Sequence, residues 1–271
     1  MLHVVRRLAA IPVLVASAGL LLAACGSNDH HTNAATSGAT ARERTPPAAQ
    51  APTGAARLPT KAQAIAFAHA VNLTAADVPG FTATSEHTHE HETTAEKRLE
   101  HELVQCTGGT LTSHSGLAEV SSPHFKFQRS VLSFGVNSKV SVAQTPIQAT
   151  KELKSIRGNH IRGCLSHYLS VLLRDQLIKE KSYPGAIGPV SISISQGTPP
   201  SPGATGSFGW RIIATITVRN IKLPFYMDML GFTYGRAEVS LLSTGALRPF
   251  PAKAQEHLYW LLLKRAEAHS V

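Results

Sequence analysis

The sequence predicts an α+β domain: a twisted antiparallel sheet of about five or six strands, with helices packed mainly on one face. Two observations carry this reading. Apolar and polar residues alternate at period two in several runs after residue 125, and neighbouring runs are joined by short turns. Segments with helical spacing stand before, between and after them, so the order is helices, strands, helices, strands, helix. Short turns imply antiparallel neighbours, and the alternation leaves one face on a core and the other partly wet.

Taken in order, Lys61 to Asn72 reads as a helix. Ala64, Ile65, Phe67, Ala68 and Val71 give the spacing, and Thr60 stands where a cap belongs. The chain then turns through Asp77-Val78-Pro79-Gly80-Phe81. A second helix is expected over Ala95 to Gln105, capped by Thr94 and stopped by Gly108-Gly109. Leu99, Leu103 and Cys106 share one of its faces. Strand signals begin at Phe125 and Phe127. The run Leu132, Phe134, Val136, Val140 and Val142 is either one half-buried strand or a hairpin turning at Asn137-Ser138-Lys139. Thr145-Pro146 opens a helix that runs to about Arg157, with proline in its first turn. Gly158-Asn159 interrupts it. A longer helix covers Ile161 to Lys179, with Ile161, Leu165, Tyr168, Leu169, Leu172 and Leu173 on one side.

Four strands follow, centred on Val190 to Ile194, Trp210 to Val218, Ile221 to Met229, and Val239 to Leu241. Asn220 and Gly235 mark bends between them. By parity, Ser191, Ser193, Arg211, Thr215, Arg219, Tyr226 and Asp228 belong to the wet face. A final helix from about Ala252 to Ala266 carries Leu258, Leu261 and Leu262. Aromatic residues crowd this half: Trp210, Phe225, Phe232, Tyr234, Phe250, Tyr259 and Trp260. Most are expected in the core, with some available to line an apolar pocket.

The first 58 residues have a different composition. Arg6-Arg7 precede an apolar run from Leu8 to Leu22, and Leu22-Ala23-Ala24-Cys25 follows. The run falls short of the roughly 20 residues that span a bilayer, and a basic start with small residues before a cut site marks a secretory signal. The Leu-Ala-Ala-Cys run resembles the lipobox of bacterial lipoproteins. That resemblance implies that residues 1–24 are removed and that Cys25 carries a diacylglyceryl lipid and holds the chain to the outer face of the cell membrane. Two acyl chains make a durable anchor where one does not. Residues 25–58 are rich in Ala, Thr, Ser, Pro and Gly, and read as a disordered tether that includes His30-His31. Residues 59–271 are long enough for one domain with a real core.

Removing residues 1–24 takes away Arg6 and Arg7 and no acid, which leaves 24 basic against 17 acidic residues. The basic residues are scattered, with no dense block and no nucleic-acid-binding motif, so no nucleic-acid partner is expected. A basic surface outside the membrane attracts anionic lipid headgroups or cell-wall polymers only at long range. Besides Cys25 the chain has Cys106 and Cys164. Outside the cytoplasm such a pair reads as a disulfide, worth about 4 kcal/mol in the chain-entropy model for a loop of this length.

Asp77-Val78-Pro79-Gly80-Phe81, Cys106-Thr107-Gly108, Ser122-Pro123-His124-Phe125, Cys164-Leu165 and Gly235-Arg236-Ala237-Glu238-Val239 together resemble a broad group of actinobacterial surface lipoproteins. These are similar to the extracellular sensor-like domains of mycobacterial receptor kinases. The resemblance spans most of residues 60–265 and implies an α+β binding or sensing domain with no assigned catalysis.

The residues offer little catalytic chemistry. There is no Gly-x-Ser-x-Gly elbow, no phosphate-binding loop, no Cys-x-x-Cys and no His-Glu-x-x-His, so an enzyme is not expected. The densest chemical feature is Glu86-His87-Thr88-His89-Glu90-His91-Glu92. His87, His89 and His91 would project to one side of an extended chain and, alone or joined by His101, suit Zn²⁺ or Cu²⁺. The same imidazoles titrate near neutrality and would serve as a pH sensor. Three functions are therefore expected, in this order: a non-enzymatic domain that binds a ligand or protein partner; a carrier of a lipid or other hydrophobic ligand; and an extracytoplasmic metal-binding protein.

Overall fold

The computed structural model describes residues 58–84, 98, 101–103, 105, 106, 116–179, 187–218 and 220–269. The expected signal, Cys25, nearly all of the tether, His87, His89, His91, Leu99 and Arg219 lie outside the described residues.

The elements are α1 (Lys61–Val71), β1 (Thr82–Thr84), β2 (Ala118–Ser121), β3 (His124–Arg129), β4 (Leu132–Val142), α2 (Pro146–Ile156), α3 (Asn159–Lys179), β5 (Ile187–Gly197), β6 (Gly206–Val218), β7 (Ile221–Tyr234), β8 (Ala237–Ala246) and α4 (Ala252–Ala268). A further helical stretch carries Leu103 and Cys106. Thr60 caps α1 as expected: its hydroxyl accepts from Gln63 N–H, and Gln63 reaches back to the Thr60 amide. Thr145 caps α2 through its hydroxyl, which accepts from Gln148 N–H, with Pro146 in the first turn. Among the described residues no helix is long and apolar enough to cross a membrane.

The sheet has eight strands rather than five or six, in the order β1-β3-β4-β8-β7-β6-β5, with β2 also paired to β4. The described pairings are antiparallel. The two unexpected strands are three and four residues long, too short to show a period. β2 and β3 share one side of β4, against Lys139–Val142 and Leu132–Val136 respectively. Ser122 and Pro123 separate them, and proline has no N–H to continue the ladder. β4 is one continuous strand and does not turn at Asn137-Ser138-Lys139. Ser138 is held there from three sides: its hydroxyl donates to Asn72 Oδ1 and accepts from Leu73 N–H, while its own N–H donates to Ser122 Oγ. Asn220 and Gly235 take positive φ, 65° and 58°, at the two hairpin bends.

Helices pack on both faces of the sheet, not mainly on one. Cross-strand partners share a face, so the register sorts the side chains. On the first face Phe125, Val136, Val140, Val239, Leu241 and Phe232 pack against Phe67 and Val71 of α1 and Leu258 and Leu262 of α4. On the second, Phe208, Trp210, Ile212 and Ile194 meet Leu153 of α2 and Ile161, Cys164, Tyr168, Leu169 and Leu172 of α3. Ala214, Ile216, Val218 and Leu223 continue that core around Leu173. Parity in a single strand says which residues point together. It does not say which face each helix covers, and that is why the expectation failed. The buried residues of all three cores lie between Ala64 and Ala266.

The Cys106–Cys164 bridge forms as expected, with the two Cα atoms 5.7 Å apart. It ties the helical stretch around Leu103 to α3. A bidentate ion pair from Arg265 to Asp77, at 2.8 Å, ties α4 to the turn after α1.

Candidate functional site

Beneath α3 the second face of the sheet leaves a small pocket of about 30 Å³, partly open to solvent. Leu169 and Leu173 of α3 roof it. Ile192, Ile212, Ala214, Phe225 and Met227 of three neighbouring strands floor it, and Thr244 and Gly245 of β8 close one end. The space follows from β6: on this face Ala214 stands between Ile212 and Ile216, so the strand lacks volume at one position. That is far below the roughly 300–1,000 Å³ usual for small-ligand sites, and the lining is almost wholly apolar.

The closed end leads into a polar region. The register lays Lys126, Gly135, Thr244, Met227 and Ile212 side by side across β3, β4, β8, β7 and β6. His124 flanks this row. A Cβ built on Gly135 would stand 2.6 Å from Thr244 Oγ1 and 2.8 Å from His124 Nε2, so both groups lean into the room the glycine leaves. His124, Asn137 and Thr244 are all buried; Thr244 Oγ1 has no hydrogen-bond partner, while His124 Nδ1 and Asn137 Oδ1 miss good hydrogen-bond geometry although the two side chains are near enough to interact. A buried polar atom without a partner costs about 1–3 kcal/mol, and each one in a native fold calls for an explanation.

Burial, and then the charge of Lys126, holds the His124 pKa down to about 4, with a contact to Asn137 opposing the shift. The imidazole is neutral at physiological pH. Burial also lowers the pKa of Lys126. Elsewhere on this face Glu119, Lys139, Glu238 and Glu152 gather, with Lys139 Nζ 2.8 Å from Glu119 Oε1. Burial, and then the charge of Glu152, pushes the Glu238 pKa up to about 7, against the pull of Lys139.

The residues expected on the wet face do converge on the first face, at β5, β6 and β7, where α1 and α4 do not reach. Ser191, Ser193 and Arg211 are exposed, and Thr215 and Tyr226 half-buried. Asp228 departs from the expectation: it is buried, with an Arg211 Nε–Oδ1 contact of 2.6 Å. Arg211 covers it from the solvent side. His101 is exposed and bonds Gln105 at 2.9 Å. Among the described residues no three His, Cys, Asp or Glu side chains stand close enough to hold a metal ion.

Sequence reasoning did not single out Lys126, Gly135 or Thr244 for a site, took Asn137 only as a possible hairpin turn, and used His124 only as part of a short motif. One signal was present: His124 and Lys126 alternate with core residues Phe125 and Phe127 and so point to the opposite face. No protein-family model matches this chain, and a search of curated proteins finds no match for it.

Proposed function

We propose that this chain is a non-enzymatic, lipid-anchored protein of the outer membrane face whose domain binds a hydrophobic ligand under α3, which must lift to admit it. The observation that carries the reading is the apolar pocket between Leu169, Leu173 and the sheet, open at one side and ending at a buried hydroxyl without a partner. The address rests on Cys25 and the run before it. The sensor-like resemblance is compatible, since such a domain needs a ligand, and a carrier would use the same pocket to move one.

Native mass spectrometry tests this on residues 26–271 secreted from an actinobacterial host, which contain the whole folded span. The expected result is a bound organic mass that solvent extraction removes. Ala214→Leu, which fills the floor, should emerge without it. A bare protein mass for both forms, with no uptake of an added apolar fluorophore, would contradict the reading.

A further inference from the structure

We infer that the outer edge of β5 is an interface between two copies of this chain, which join strand to strand, antiparallel, about Ile192. The contact needs no ligand under α3.

Three observations converge on it. The first is an open edge. β5 ends the sheet with β6 on one side, and among the described residues no strand pairs with the other. The outward N–H and C=O groups of such a strand are a template for another chain. Ser191, Ser193 and Ser195 are exposed, while Ile192 and Ile194 pack under α3. The second is the lack of protection. At the far end of the sheet β1 and β2 are only three and four residues long, and short edge strands template little. β5 runs from Ile187 to Gly197 without one charged residue. Pro189 and the register break between Ile187 and Val190 guard only its start. The third is self-complementarity, which a two-fold interface requires. Val190-Ser191-Ile192-Ser193-Ile194 has the same polar and apolar pattern read in either direction. About Ile192, Ser191 meets Ser193 of the second copy, Val190 meets Ile194, and Ile192 meets its own counterpart. Hydroxyls then lie beside hydroxyls on the wet face, apolar side chains lie beside apolar ones under α3, and no charge meets a like charge. An unrelated peptide would not need that symmetry, so a second copy is the occupant.

The test is sedimentation equilibrium of residues 26–271 from micromolar to near-millimolar protein, a range that reports the weak contact a short ladder makes. The expected result is a reversible shift from the mass of one chain toward twice that mass. Ser191→Lys with Ser193→Lys places lysine opposite lysine across the two-fold, and Ser191→Glu with Ser193→Glu places glutamate opposite glutamate. Each double variant should stay monomeric throughout the range. An equimolar mixture of the two should recover the dimer, which also shows that both are folded. A wild type that stays monomeric, a dimer that survives in either variant alone, or a mixture that remains monomeric would overturn the pairing at β5.

Discussion

The two faces of this sheet carry the same strands and differ in how completely they are finished. Under α1 and α4, Val71, Phe125, Val136, Val140, Phe232 and Leu262 are closed from solvent, and the polar groups at the margin are paired, as in Ser138 with Asn72 and Arg265 with Asp77. Under α2 and α3 the packing is interrupted. A pocket remains at Ala214, and His124, Asn137 and Thr244 keep polar atoms without well-formed hydrogen bonds. Close packing and satisfied hydrogen bonds are what stability alone selects. The second face departs from both, and Trp210 Nε1 and Thr233 Oγ1 also lack partners on it, so it is the less completely finished of the two.

The largest test of this contrast is truncation. Leu262→Ala removes a fully buried side chain from the finished face and should cost about 3–5 kcal/mol. Leu173→Ala, on the roof of the pocket, loses fewer packing contacts because one side already borders the gap, and should cost about 2–3 kcal/mol. Urea denaturation of both variants measures the difference. Equal costs would mean that the two faces are packed alike.

Next comes pH. The folded pKa of His124, about 4, lies below its ordinary 6.5, so between these values the unfolded chain binds a proton that the folded one refuses. His124 therefore makes stability rise with pH from 4 to 6.5, on the order of 2–3 kcal/mol in all. Glu238 acts in the opposite direction. Its folded pKa is raised from 4.5 to about 7, so it makes stability fall as pH rises across that window. Because Glu238 is only half-buried by accessible surface, its contribution should be the smaller, on the order of 1–2 kcal/mol. Where the windows overlap the two slopes partly cancel. Glu238→Gln should remove the opposing slope, so that stability climbs more steeply between pH 4.5 and 6.5. Urea midpoints across that range report it, and a profile matching the wild type would remove Glu238 from the account.

How much of this was legible in the sequence divides along the same line. Thr60, the period-two run from Trp210 to Val218, the α3 stripe from Ile161 to Leu173 and the Cys106–Cys164 bridge were all readable, because each depends on local spacing or on counting. The short β1 and β2 were not, since three or four residues carry no period. Placing helices on both faces needed the strand order, which puts β8 between β4 and β7 and which spacing does not encode. Asp228 was assigned to the wet face correctly by parity, yet Arg211 buries it, a contact made across strands. The polar region beyond the pocket was out of reach for the same reason. Its members come from residues 124–126, 135–137 and 244, and only the register β3-β4-β8 brings them together.

The smallest effect is the most direct test, because it separates a ligand site from a packing flaw in one variant. Thr244→Val keeps the shape of the side chain and removes the orphaned hydroxyl. The measurement is the melting temperature of Thr244→Val and of the wild type, with and without the apolar fluorophore at saturation. The account predicts that the free variant is more stable than the wild type, by about 1 kcal/mol or roughly 2–4 °C for a domain of this size, and that the fluorophore, which needs only the apolar lining, raises the melting temperature of both forms. A free variant that melts lower than the wild type, with no response to the fluorophore in either form, would mean that the Thr244 hydroxyl serves the fold and that the second face holds no ligand site.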